Sequence, residues 1–267
     1  MFDPKDILAA TALAAVSGAA VHGTFSPTSS FWGTVTWRAA GAGNCVALTF
    51  DDGPTAGCSE RVLDILDELQ VPAAFFVIGA SAARRPDIIR RIDAAGHLLG
   101  NHTYDHDHLG ILRGPIYWND QLRRTDEMLA GIIGRKPALF RPSMGFTTWP
   151  IHHAARRGEQ AVVTWSIRGR DGLGGESSQI LRRMVEPARG GDILMLHDGI
   201  DPHLLGSRIP DRNATITALP RLIAALREKG LQIVRLDQLL GIDGYARDSD
   251  LRSAPAQAER GAGNHIG

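Results

Sequence analysis

The chain has 267 residues, with 29 basic against 29 acidic side chains, no formal net charge and a pI near 7.2. At 43% hydrophobic and 22% charged it has a globular balance, and bulk disorder is excluded. Zero net charge argues against a nucleic-acid binder, which needs a basic footprint to offset phosphates. Cys45 and Cys58 lie at opposite ends of one expected strand and turn, so they read as free thiols rather than a disulfide framework.

The chain opens on an uncharged, Ala-rich run at 7–23. It can be read as an export signal lacking a basic start, as a weak membrane helix, or as a helix packed on the domain. We expect it to place the protein at a bacterial envelope membrane or to export it, with 24–44 as a linker. From residue 45 strands and helices alternate. VALTF (46–50) is an apolar strand running into DDGP, and 59–69 is an amphipathic helix with Ser59 as its N-cap. AAFFVIG (73–79) is a buried strand, 86–96 a helix with Pro in its first turn, and HLLGNH (97–102) a short strand. A long helix over 116–133 precedes the strand ALFR; a helix over 149–157 precedes AVVTWS (161–166). A helix over 177–188, the strand DILMLH (192–197), a helix over 214–229 and the strand LQIVRL (231–236) complete the pattern. Seven strands with intervening helices fit an α/β barrel or a doubly wound sheet. The expected domain is 45–242, and the polar tail 243–267 reads as disordered.

Polar residues separate the two architectures. Asp51 with Asp52, His102, Arg141, Trp165 with Asp171, and His197 each fall at or just past a strand's C-terminal end. In a parallel barrel those ends form one face, where catalytic groups gather. Asp51 and Asp52 precede Gly53-Pro54, which alone is ordinary turn chemistry; the apolar strand before them carries the pair to the rim. His102 and His106, four apart, with one carboxylate make a facial triad that leaves positions open for water and substrate. His108 is the nearest competing ligand, while His152, His153 and His203 read as surface histidines. Arg141 can hold a carboxylate, most simply Asp51, and His197 ends an apolar strand where an imidazole suits general-acid work, oriented by Asp171.

Together these residues resemble the polysaccharide deacetylases of carbohydrate esterase family 4, the NodB-homology domain. TFDDGP (49–54), HTYDH (102–106) and LMLHD (194–198) match three of its motifs. RPSMG (141–145) is similar to a fourth, with Ser143 and Met144 where Pro and Tyr are frequent. WSIRGRD (165–171) is similar to the remaining one, with Arg168 in place of an Asp and Gly172 in place of the usual Trp. The resemblance implies a distorted (β/α)7 barrel in a single domain. It implies one divalent metal, zinc or else cobalt or nickel, on Asp52, His102 and His106. It implies Asp51 as base, His197 as acid, Arg141 as the partner of Asp51 and Asp171 as the residue tuning His197. The Met144 N–H would help hold the oxyanion, with Trp165 beside the substrate. The implied reaction removes N-acetyl groups from N-acetylglucosamine-type residues of a cell-envelope glycan or glycolipid; an O-acetyl esterase and a catalytically silent glycan-binding barrel are the alternatives.

Overall fold

A computed structural model describes residues 16–203 and 211–246. Its centre is β1 (Cys45–Asp51), whose residues alternate between two environments. Val46, Leu48 and Phe50 point outward into the main hydrophobic core beneath the helices. Ala47 points inward, and so by the two-residue strand period do Thr49 and Asp51. Parity alone therefore delivers Asp51 to the inside of the sheet.

Around β1 the chain lays down parallel strands. β2 (Ala74–Val77), β3 (Leu98–Asn101), β4 (Leu139–Phe140) and β5 (Ala161–Val162) follow one another on one side. β7 (Ile193–His197) and then β6 (Ile167–Arg168) lie on the other, and β8 (Gln232–Ile233) pairs with the start of β1. Because β5 and β6 are successive pieces of one segment, the chain itself joins the two ends of the sheet. The result is a distorted (β/α)7 barrel. The strand expected over 161–166 is thus split: Val163 pairs with Thr36 from the N-terminal segment, and pairing with β7 begins only at Ile167.

Helices α2 (Ser59–Leu69), α3 (Gly79–Arg84), α4 (Pro86–Ala94) and α5 (Pro115–Ile133) cover the outer face, followed by α6 (Trp149–Arg157), α7 (Ser177–Val185), α8 (Asn213–Glu228) and α9 (Leu236–Leu240). α2 buries Val62, Leu63 and Leu66 as its periodicity requires. Ser59 is not its N-cap: Cys58 holds that position, and the buried Ser59 hydroxyl donates to Asp198 at 2.5 Å. His152, read as a surface residue, is buried in α6, packed where Gly33 leaves room, and burial with the nearby Arg156 charge pulls its pKa down to about 4.

The flanking segments bind the barrel. Residues 16–25 form a helix, α1, and residues 7–15 of the apolar run lie outside the described residues. Among the described residues no helix is long and apolar enough to cross a membrane. The segment read as a linker is hydrogen-bonded along the barrel wall: Thr36 N–H donates to Val162 at 2.9 Å, and Thr164 N–H to Thr36 at 3.0 Å. At the other end Tyr245 accepts from Leu99 N–H at 3.1 Å, and Ala246 N–H donates to Lys136 at 2.9 Å, so 243–246 are tied to the fold. Residues 247–267 of the tail lie outside the described residues. Both cysteines are free.

Candidate active site

Strand register assembles the rim. Asp51 stands opposite His197 across the β1–β7 ladder, and Asn101 opposite Phe140 across β3–β4, so His102 and Arg141 emerge side by side. All of the candidate residues line one cavity or its floor at the C-terminal end of the strands, with a volume of about 340 Å³.

Arg141 is fully buried beneath it. Its guanidinium donates to Asp51 Oδ1 at 2.6 Å, Thr49 Oγ1 at 2.9 Å, the Thr164 carbonyl at 2.9 Å and the Val163 carbonyl at 3.3 Å. It also lies 4.0 Å from the centre of the Phe76 ring. Four acceptors and a ring fix its orientation, and Asp51 is fixed with it.

Asp52 turns away from its neighbour because its backbone enters the left-handed region at φ 70°. Its Oδ1 lies 3.4 Å from His102 Nε2 and 3.3 Å from His106 Nε2. His102 Nδ1 sits 2.7 Å from the Arg141 carbonyl oxygen, which can only accept, so Nδ1 carries the proton. In the neutral ring Nε2 then aims a lone pair at a carboxylate oxygen. Two acceptors facing each other while buried require a positive charge between them. One oxygen and two imidazole nitrogens are a donor set suited to a divalent cation such as zinc, and Asp52, His102 and His106 can hold one. Burial would raise the Asp52 pKa, but the three nearby imidazoles outweigh it and hold the carboxyl well below the usual range.

His197 faces this group, with Nε2 4.0 Å from Asp52 Oδ2. Asp171 holds it from behind: Oδ1 lies 2.9 Å from His197 Nδ1, and Oδ2 accepts from the His197 N–H at 2.9 Å and the Thr215 hydroxyl at 2.7 Å. Burial favours the neutral imidazole, but Asp171, with Asp52 and Asp51 behind it, lifts the His197 pKa to about 9. Met144 occupies a turn at φ 59° with its side chain half exposed in the cavity mouth. Its N–H has no acceptor among the described residues. Trp165 is buried against Gly145, where a Cβ would lie 2.4 Å from the indole ring.

Sequence reasoning missed three supports. Asp201 lies with Oδ2 3.3 Å from His106 Nδ1 and in contact with His108 Nε2, forming with both a second group able to hold a cation. Arg212, buried ahead of α8, donates to the carbonyls of Gly199, Asp171 and Gly172. Asp198, its carboxyl pushed up to about 7 by burial, packs against Gly53 and Ser59. Only Asp198 had a signal, its place beside His197.

A polysaccharide deacetylase family model matches residues 38–162, a stretch holding the first three motifs. A chitooligosaccharide deacetylase of Bradyrhizobium sp. (strain ANU 289) is 35% identical over 196 residues, 73% of this chain and 90% of the relative. The chain belongs to the polysaccharide deacetylase family. A peptidoglycan-N-acetylglucosamine deacetylase of Bacillus cereus is 30% identical over 210 residues, 78% of this chain and 93% of the relative. Among solved structures, a peptidoglycan N-acetylglucosamine deacetylase in complex with 4-naphthalen-1-yl-N-oxidanyl-benzamide superimposes with a TM-score of 0.71 at 28% identity, covering 79% of this chain and 94% of that one. A family 4 carbohydrate esterase from Streptomyces lividans in complex with acetate gives 0.65 at 27% identity, covering 76% and 97%. Membership makes the chain a hydrolase of the carbohydrate deacetylase class.

Proposed function

We propose that this member removes N-acetyl groups from N-acetylglucosamine-type residues of a cell-envelope glycan, using one divalent metal, zinc, held by Asp52, His102 and His106. The observation that carries the reading is that Asp51 and His197 stand in register on adjacent strands beside that triad, with His197 Nε2 4.0 Å from Asp52 Oδ2. The activities named for the chitooligosaccharide and peptidoglycan relatives support the sugar and the amide. Bound there, a divalent cation supplies Lewis acidity toward the acetyl carbonyl.

The chain's own groups do the rest. Asp51, held by Arg141, accepts a proton from the attacking water. The Met144 N–H is available to the carbonyl oxygen as it gains negative charge. His197 carries a proton to the amide nitrogen as the C–N bond breaks, since an amine anion is too poor a leaving group. Acetate and a free amine are the products. The uncharged run at 7–23 supports an envelope location, through export or membrane association. Fractionation of the full-length protein tests it, and recovery wholly in the cytosol would reject it.

The assay is release of acetate and of free amine from N-acetylglucosamine oligomers, with zinc content measured in parallel. Equal yields of both support the reading. Acetate from O-acetylated glycans alone would turn it to an esterase, and no acetate from any substrate by the zinc-loaded protein would overturn it.

A further inference from the structure

The end of β6 and the segment after it carry charge that no described residue pairs. Arg168 and Arg170 both line the cavity and both are exposed. Neither side chain has a hydrogen bond or ion pair with any described residue. Several other arginines are paired with acids, as Arg85 with Glu60 and Asp87, Arg91 with Asp64 and Asp67, and Arg235 with Asp237. The two guanidiniums instead repel each other: partial burial and the Arg170 charge lower the Arg168 pKa. Two like charges on one cavity wall cost free energy until an anion arrives.

The wall also lies where the substrate must pass. Between Arg170 and the loop tip stand Asp171, which holds His197, and Gly172, whose missing side chain leaves the His197 ring open; a Cβ there would meet Cε1 at 3.2 Å. A sugar whose nitrogen reached His197 over Gly172 would bring its substituents, or those of the adjoining sugar, toward the two guanidiniums. The same cavity is also lined by Asp51, Asp52 and Asp201.

We propose that Arg168 and Arg170 form a subsite for an anionic substituent, a carboxylate or phosphate, on the glycan that this site deacetylates. The inference rests on the deacetylase reading for its reaction, but the subsite itself is a binding claim. Planar guanidiniums pair with carboxylate and phosphate oxygens through forked N–H donors, and their position outside the buried floor keeps them clear of the reacting atoms.

Two measurements test it. The first compares kcat/KM on an N-acetylglucosamine oligomer with that on the same oligomer carrying C6 carboxylates. The second compares the affinities of the two oligomers calorimetrically and needs no turnover. Wild type should prefer the carboxylated oligomer by about tenfold, in KM rather than kcat, and the preference should shrink with added salt. R168Q/R170Q should bring the preference close to one while leaving kcat/KM on the neutral oligomer within about twofold, whereas R168K/R170K should retain part of it. Equal affinity of wild type for both oligomers, or a preference that survives R168Q/R170Q, overturns the subsite. Loss of turnover on both oligomers with the affinity difference intact would reject the deacetylase reading and leave the subsite standing.

Discussion

The rim of this barrel is built in two different ways. Where β1, β3, β4 and β7 end, the site side chains are cross-braced and, apart from the partly buried His197 and the half-exposed Met144, buried: Asp51 is held by Arg141, His102 by the Arg141 carbonyl, His197 by Asp171. After β6 the chain runs through Arg168, Arg170, Gly172 and Leu173, with Leu173 81% exposed and nothing within 4 Å of a Cβ placed on Gly174 or Gly175. Backbone strain is concentrated in the braced half, although Arg170 in the open half also holds a positive φ of 56°. Asp52, Thr103, His106 and Met144 all hold positive φ, between 59° and 70°, which side-chain-bearing residues adopt only where their surroundings enforce it. The braced half is suited to chemistry that requires fixed distances, and the open half to sorting what is brought to it.

The sharpest break in that comparison comes from the adjacent carboxylates. Asp52→Ala removes the shared oxygen of the triad. Zinc content should fall toward zero and turnover by more than about 10³-fold, beyond the loss of a single oxyanion donor. Asp51→Asn keeps the triad and should keep zinc while losing about 10²–10⁴-fold in turnover. Metal analysis beside acetate release separates the two, and equal metal loss in both variants would reject the division of labour.

Two glycines sharpen the contrast at a smaller scale. A Cβ on Gly199 would fall 2.0 Å from the Asp52 carbonyl carbon and oxygen, a collision with backbone that no rotamer relieves. Gly199→Ala should cost about 1–3 kcal/mol or more through overpacking. On Gly172 the nearest atoms to a Cβ are side-chain ring atoms of His197, at 3.2 Å and beyond, so Gly172→Ala should cost less, about 1 kcal/mol or below. Denaturant midpoints on both variants decide; equal losses would mean that the open half is packed as tightly as the braced one.

Much of the braced half was legible because it rests on strand parity. In β1 and β7 the apolar residues run unbroken to the rim, so the alternation that buries Leu48 and Leu196 in the outer core turns Asp51 and His197 inward. The split between β5 and β6 was not legible, because Thr164 and Trp165 continue the apolar pattern while their backbone leaves the β4 ladder. The Ser59 cap reading failed for a similar reason. Its hydroxyl answers to Asp198, 139 residues away in sequence, and not to its own helix. Asp201 and Arg212 reach the site from loops whose composition is ordinary turn chemistry, and only the closed barrel brings them to His106 and to the Asp171 carbonyl. Tyr245 and the 24–44 segment carry polar, Gly-rich surroundings that look like linker in sequence, yet each has one or two residues whose pairing ties the backbone down.

The finest test of the bracing is in pH. Asp171 sits in the wall between the two halves and acts on His197 through 2.9 Å contacts to both its ring and its backbone N–H. With His197 lifted to about 9, its imidazolium persists through neutral pH, and the proton assigned to the leaving nitrogen in the proposed reaction is lost only as pH rises past that value. The alkaline limb of kcat should lie there. Asp171→Asn removes the carboxylate charge and leaves burial, which favours the neutral ring, so the limb should move down by about one pH unit or more, each unit being 1.36 kcal/mol of lost imidazolium stabilisation. The same pair contributes to folding. A histidine pKa raised in the folded state stabilises it below the unfolded value and stops doing so as pH climbs through the folded one. The stability lost in Asp171→Asn should therefore be large near pH 7 and shrink toward pH 10. Other groups at the rim titrate with His197, so the apparent limb belongs to the set, and the comparison must be of wild type with variant at equal zinc content. An alkaline limb that stays in place in Asp171→Asn, with zinc retained, would show that Asp171 fixes the position of His197 without setting its charge.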